Sequence, residues 1–149
     1  TNVIDDVNAG PVARYNPFTK VCDFYKLPSP GAKKTVGVTT DKSGNVWVRF
    51  AFRSGGGIGV FNPNVALTDQ TPLYKEFRKG KGQGNLVSDV VNCMVLDKDD
   101  HLWIGTDYGI SVVYNASSAL LSESYDAGYP VVDNWPLLFE QGVNCIAVD

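Results

Sequence analysis

The feature that most constrains this chain is an internal echo. Asp41-Lys42-Ser43-Gly44-Asn45-Val46-Trp47-Val48 returns as Asp97-Lys98-Asp99-Asp100-His101-Leu102-Trp103-Ile104. A third copy opens at the C-terminus, where Val143-Asn144-Cys145-Ile146-Ala147-Val148-Asp149 repeats Val91-Asn92-Cys93-Met94-Val95-Leu96-Asp97. Gly10 to Tyr15-Asn16 likewise parallels Gly109 to Tyr114-Asn115, with Phe61-Asn62 as the copy between. A unit this short cannot bury a core alone and must bury it against its neighbours. Units of four short strands recurring every roughly 40–50 residues describe propeller blades, and insertions in the connections account for the slightly longer spacing.

The pattern inside the repeat follows a two-residue period. Val91-Asn92-Cys93-Met94-Val95-Leu96 reads as a strand buried on both faces. The polar tetrad Asp97-Lys98-Asp99-Asp100 reads as a hairpin turn. Leu102 and Ile104 then point to one face and Trp103 to the other. Gly105 and Gly109 bracket a second turn, and residues 110–114 form a third strand. The fold class is therefore all-β: antiparallel meanders making a β-propeller fragment, about two whole blades with partial blades at both ends. The divisions fall at 1–31 (partial blade), 34–79 and 88–140 (blades) and 143–149 (first strand of the next). Strands are expected at 11–15, 21–25, 36–40, 45–50, 58–62 and 73–77, with 1–9 an irregular lead-in and 27–31 a crossing. The last strand of the second blade has no clear place. Asp41, Trp47, Asp97, Trp103, Gly105, Gly109 and Asp149 are the positions that hold the repeat together.

Composition removes several function classes. The net charge of −3 gives no general attraction to nucleic acid. No apolar run approaches the roughly 18–20 residues of a spanning helix, so no direct membrane insertion is expected, and Thr1 begins no signal peptide. The chain lacks an initial Met and stops at Asp149, where the repeat calls for another Trp-bearing strand. That reads as a piece of a longer protein, whose open end blades would self-associate through their apolar faces. The three cysteines are odd in number and cannot all pair internally. Cys93 and Cys145 hold equivalent apolar positions and read as inert core thiols.

The residues for catalysis are missing. His101 is the one histidine and takes the turn position of Asn45, leaving a serine or cysteine nucleophile without a second base and disfavouring zinc. Asp97, Asp99 and Asp100 suggest calcium, but Leu102 and Tyr108 stand where an EF-type loop needs glycine and glutamate. A turn explains both copies; a metal explains one. Glu76, Glu123 and Glu140 fall in connections with no sign of a facing pair. No catalytic residue, metal or cofactor is expected, and the sequon Asn115-Ala116-Ser117 is a match frequent by chance.

Binding candidates lie on loops. In the first blade's long middle loop, Arg49 and Arg53 bracket Phe50 and Phe52 and could stack on and hydrogen-bond a sugar or an anion. The plainer reading is an extended hairpin packed between blades. Gly55-Gly56-Gly57 is no dinucleotide fingerprint, because strands follow it. The glycine-rich basic connection 75–85 could meet phosphate or an acidic polysaccharide, or be a solvated mobile loop. Trp135, in an aromatic link with Tyr125, Tyr129 and Phe139, suits a sugar platform or an inter-blade plug. Tyr108, in the second turn, completes the set.

The pattern Val91-Asn92-x-x-x-x-Asp97-x-x-x-x-Leu102-Trp103-Ile104-Gly105-Thr106-x-x-Gly109-Ile110-x-x-x-Tyr114-Asn115 resembles the two-component regulator propeller repeat. That resemblance implies the periplasmic sensor propellers of bacterial hybrid histidine kinases, which help sense carbohydrate, or the similar propellers of surface and type IX secretion-associated proteins. The first copy departs after Val48, where Arg49-Phe50-Ala51 replaces the Gly-Thr step. Streptogramin lyases share a strand resembling Gly44-Asn45-Val46-Trp47-Val48, but their chemistry depends on a histidine that this chain does not match. The expected function is a non-enzymatic module at the periplasm or cell surface. It would recognise a carbohydrate or a partner protein of the envelope through Arg49, Phe52, Arg53, Tyr108 and Trp135. A structural interaction scaffold stands second and a piece of a propeller lyase third.

Overall fold

The computed structural model describes residues 12–25, 27, 34–65, 73–123 and 125–149; the expected lead-in and most of the first crossing lie outside them. β1 (Val12–Asn16) and β2 (Val21–Tyr25) form a hairpin. β3 (Thr35–Thr40), β4 (Val46–Phe50), β5 (Ile58–Phe61) and β6 (Tyr74–Phe77) make a four-stranded antiparallel sheet in sequence order. β7 (Val91–Leu96), β8 (Leu102–Thr106) and β9 (Gly109–Val113) make a three-stranded one, and β10 (Val131–Val132) pairs β11 (Trp135–Pro136). No described residue is in an α-helix; 3-10 turns occupy Phe52–Ser54 and Ala116–Ser118.

Alternation along the strands sorts the side chains into layers. On β4, Trp47 turns to one face while Val48 and Phe50 turn to the other, as a period of two requires. Trp47, Ile58, Val60 and Phe77 of the first blade meet Val91, Leu102, Ile104 and Val113 of the second in the largest core cluster. The other face of the first blade, through Val48, Phe50 and Phe61, packs on Tyr25 and Leu27 beside the β1–β2 hairpin. The far face of the second blade carries Ile110 and Val112, with Trp103 partly buried beside them, under Val143, Leu137 and Ile146. The molecule is thus a stack of wedges, hairpin, blade, blade and C-terminal segment, each burying apolar area against the next.

The repeated Asp and Trp form one device, used twice. The Asp41 carboxylate accepts the amides of Ser43 and Asn45 at 3.0 Å, the Asn45 side-chain amide at 2.9 Å and the Trp47 indole N–H at 3.0 Å. The Asp97 carboxylate accepts the amides of Asp99 and His101 at 2.9 and 2.8 Å and the Trp103 indole N–H at 2.8 Å, and its Oδ2 lies 3.1 Å from His101 Nδ1. A single carboxylate closes the turn and fixes the indole across it, satisfying donors that burial would otherwise leave unpaired. His101 does in the second blade what Asn45 does in the first.

Polar ties join the blades at both ends. Asp100 accepts the amide and hydroxyl of Ser117 at 2.9 and 3.0 Å, and the Ser117 hydroxyl oxygen accepts the Ser43 amide at 3.2 Å. Arg49 donates to the carbonyls of Val91 at 2.9 Å and Val36 at 3.2 Å, stitching two innermost strands together.

Three expectations are corrected, and the strand left without a place in the second blade is located. β7 is buried at Val91 and only half-buried beyond it, because the layers on its two faces cover it only in part: Met94 and Leu96 pack beside the main core cluster and Cys93 beside the smaller C-terminal one. The outermost strand of the second blade shrinks to one bridge, Val112 to Gly128. Residues 143–149 form no strand: Val143 is buried and its amide reaches the Thr106 carbonyl at 2.7 Å, but no described strand pairs with residues 144–149. Cys145 is accordingly exposed rather than a core thiol, while Cys93 is half-buried and its thiol pushed up by that burial.

Candidate binding rim

Antiparallel connections alternate between the two ends of a sheet, so the Asp41 and Asp97 turns lie at one end of the blades and the β4–β5 and β8–β9 connections at the other. The second end carries a partly enclosed, mainly apolar cavity. There, three segments far apart in sequence converge: the glycine loop after β6, the β8–β9 turn, and the link through β10 and β11.

The glycine loop is pinned by hydrogen bonds, although Lys81, Gly82 and Gln83 at its tip are exposed. Gln83 and Asn85 donate their amides to the Gly80 carbonyl, both at 3.1 Å, and Leu86 donates to Arg78 at 2.9 Å. The remaining amides of Gly82 and Gly84 point at the Asp126 carboxylate, at 3.1 and 3.2 Å. The loop is therefore an anion nest, but the anion is its own aspartate, which leaves little for a phosphate. Gly84 is required: at φ +100, a Cβ would come within 2.5 Å of the Phe77 backbone.

The β8–β9 turn is locked by Thr106, whose hydroxyl accepts the Tyr108 amide at 3.1 Å and donates to the Gly109 carbonyl at 2.9 Å. Gly109 takes a φ of 131°, a left-handed conformation that explains the repeat's glycine there. Gly105 is needed for space instead, since a Cβ would sit 2.5 Å from the Cys93 Sγ. Tyr108 donates its hydroxyl to Glu140 at 3.0 Å and stands edge-on to Phe139, with ring centroids 5.3 Å apart. The hydrogen bond to Glu140 raises the phenol above its usual range, helped by burial and the carboxylate's charge. In the link, Asp133 and Asn134 both adopt positive φ, the two-residue turn whose twist matches a tight hairpin.

Between these segments lies a cavity of about 300 Å³. Leu86, Val87, Ile110, Leu137, Phe139 and the rings of Tyr108 and Tyr129 make it mainly apolar, with Lys79 and Asn85 on one side. Tyr129 is also raised, by burial first and then by the charge of Asp126. Asn85 already donates its side-chain amide to the Ala127 carbonyl at 3.1 Å. Among the described residues no three His, Cys, Asp or Glu side chains converge as a metal would require.

The five residues named from sequence fall at this end of the blades but not in one site. Tyr108 lines the cavity, and Trp135, 75 % exposed, stands on the hairpin whose next two residues line it. Phe52 and Arg53 are exposed on the 3-10 turn of the first blade, outside the lining. The Arg49 guanidinium is committed to backbone carbonyls, and Phe50 between the two arginines is core. Of the structural positions, Asp149 is exposed. The plug expected in the aromatic link is Tyr125, whose ring meets Phe77 at 6.0 Å, not Trp135. Leu137 and Ile110 were not singled out as site residues by sequence, and Lys79 only as part of the basic connection 75–85, because only folding brings residue 79 beside residue 137.

Residues 85–108 match the profile of the family described as two component regulator propeller. The second blade carries that repeat's signature. The fold is similar to the structure of PorZ, described as an essential bacterial surface component of the type-IX secretion system of Porphyromonas gingivalis, at 24% identity and a TM-score of 0.71. That likeness covers 94% of this chain and 21% of the PorZ chain, so the chain spans about a fifth of the structure it matches. A search of curated proteins gave no match. The propeller fold therefore stands on the blades, the family profile and the structural likeness together. No described helix is long and apolar enough to cross a membrane.

Proposed function

We propose that the chain is a non-enzymatic binding module of a bacterial envelope protein, at the periplasm or cell surface, and that it engages a partner protein through the rim that carries the cavity. The observation that supports this is the apolar character of that rim. Tyr129, Val131, Val132, Trp135, Leu138 and Phe139 are all exposed within one short stretch. Exposed apolar clusters mark interaction surfaces, and aromatic anchors beside a pocket are the usual centre of a protein interface. A glycan needs free donors and acceptors around its stacking platform, whereas Asn85 and Tyr108 already donate to Ala127 and Glu140. Carbohydrate sensing stands second and rests on the exposed Trp135 indole, which can stack on a sugar ring. A sensor of a two-component system and a scaffold of a secretion assembly would both use such a face, and the family profile and the fold likeness support an envelope setting for either.

The test is parallel screening of the chain, and of its Trp135→Ser and Phe139→Ser variants, against arrays of bacterial envelope proteins and of glycans. Saturable protein binding weakened by both substitutions is the expected result. Saturable glycan binding lost on Trp135→Ser, with no protein binding, would replace this reading with the carbohydrate one.

A further inference from the structure

Resting on the reading of the rim as a protein-binding face, we propose that a partner polypeptide enters the cavity as a short extended segment and completes the outer edge of the second blade. One of its residues pairs antiparallel with Ile110 and lays a large apolar side chain in the cavity. The two blades supply the first argument, because one is finished where the other is not. Trp47 stands opposite Val60 in the first blade and Trp103 opposite Val112 in the second, so the repeat sets Ile110 where the first blade has Ile58. Ile58 is paired with Phe77 of β6, whose ring is fully buried with its centroid 5.4 Å from that of Trp47. The second sheet stops at β9, and Gly128 bridges that edge only at Val112.

The backbone supplies the second argument. Val112 and Gly128 exchange both of their N–H···O bonds at 2.8 Å, so Val112 points its polar groups away from β8. These directions alternate along an antiparallel strand, which turns the N–H and C=O of Ile110 to the same outer edge. Continued in that register, Pro130 would stand opposite Ile110. A proline has no N–H to give, and the Pro130 carbonyl accepts the Leu137 amide at 2.7 Å instead. The chain thereby leaves the edge and turns into the β10–β11 hairpin. At the other side the opening ends at Tyr108, whose carbonyl accepts the Glu140 amide at 3.1 Å. Between these closures the outward groups of Ile110 have no hydrogen-bond partner among the described residues, while Ile110 itself is buried and lines the cavity. A buried N–H and C=O without partners are costly, and one residue of an added strand satisfies both.

The cavity selects the side chain. About 300 Å³ lies at the small end of ligand pockets. Leu86, Leu137 and Phe139 make it apolar, which suits one aromatic ring in the part that Phe77 plays in the first blade. Glu140 accepts the Tyr108 hydroxyl and Asp126 the glycine-loop amides, and both carboxylates keep their charge there. The entering residue is therefore neutral and internal to its chain, not an anionic chain end.

The experiment is calorimetric titration of the whole chain with the blocked peptide acetyl-Thr-Thr-Phe-Thr-Thr-amide and with relatives N-methylated at Phe, N-methylated at the preceding Thr, or carrying Ser for Phe. The parent peptide is expected to bind saturably and to slow amide hydrogen exchange at Ile110. Methylation at Phe removes the donor to the Ile110 carbonyl and should weaken binding about ten-fold. Methylation at Thr, whose N–H points away from β9, should change it far less, and Ser for Phe should weaken it. Equal effects of the two methylations, unchanged exchange at Ile110 with peptide bound, or no saturable binding of the parent peptide overturns the proposal. If that happens while array proteins still bind in a Trp135-dependent way, the strand-addition inference falls and the protein-binding rim survives. Glycan binding in place of protein binding removes both.

Discussion

Asp97 shows how much one carboxylate can be asked to do. Burial alone pushes its pKa up, but the hydrogen bonds from the Trp103 indole and the His101 and Asp99 amides, with the charge of His101, outweigh burial and hold the carboxyl at about 2. The unfolded chain has the ordinary value near 3.9. A folded pKa below the unfolded one contributes stability that is complete above about pH 4 and is lost as pH falls toward 2. Thermal unfolding followed between pH 5 and 2 should show this loss in the native chain. Asp97→Asn, which keeps an acceptor but not the charge, should start about 2 kcal/mol less stable, the scale of a hydrogen bond to a charged group, and should lose less over that pH range. Parallel curves for the two proteins would mean that the carboxyl is not the titrating group. The sequence displayed this clip as an Asp six residues before a Trp, twice, and a two-residue period then placed the indole on the blade face. Its partners were hidden, because a repeat shows which positions matter and not which donors a turn aims at them.

The elements read best where pairing is local. Most blade strands lie within a residue or two of their expected places, since each pairs with a neighbour in sequence and none depends on distant chain. The failures share a cause. Residues 143–149 carry the pattern of β7 but have no described partner strand, and an apolar alternation without a ladder is not a strand. The glycine loop failed in the opposite direction: its composition suggested a solvated segment, yet Asp126, from beyond the second blade, closes it. That dependence is testable at the level of the loop. Asp126→Ala should speed amide hydrogen exchange at Gly82 and Gly84 by roughly ten-fold, the equivalent of one hydrogen bond, and leave the amides of β4 and β5 unchanged. Unaltered exchange at those two glycines would show that the Gly80 carbonyl alone holds the loop. The candidate site was least legible of all, since Lys79, Ile110 and Leu137 come from three elements and share no motif.

At the scale of the whole molecule, the two copies of the clip offer a comparison that one copy could not. Trp47 and Trp103 make the same indole bond to the same aspartate, yet Trp47 is fully buried and Trp103 only half-buried. The difference lies in what covers them. Trp47 is roofed by the three-stranded sheet of the second blade through Leu102, Ile104 and Val113, whereas over Trp103 there is only the irregular segment containing Leu137, Val143 and Ile146. At the other end the β1–β2 hairpin exposes Tyr15, Phe18, Val21 and Phe24, and β3 exposes Val36 and Val38. Wedges that stack on one another leave an apolar face wherever the stack stops, and repeat arrays without polar caps associate through such faces. The isolated chain should therefore sediment as a concentration-dependent mixture whose average mass rises above that of the monomer. Phe18→Lys with Val38→Lys, both on exposed positions where the change opens no cavity, should return it toward monomer without lowering the unfolding temperature by more than a few degrees. A single monomeric species at every concentration would mean that the exposed hairpin and β3 side chains do not make a competent interface, and that the half-buried Trp103 is covered well enough by the segment already over it.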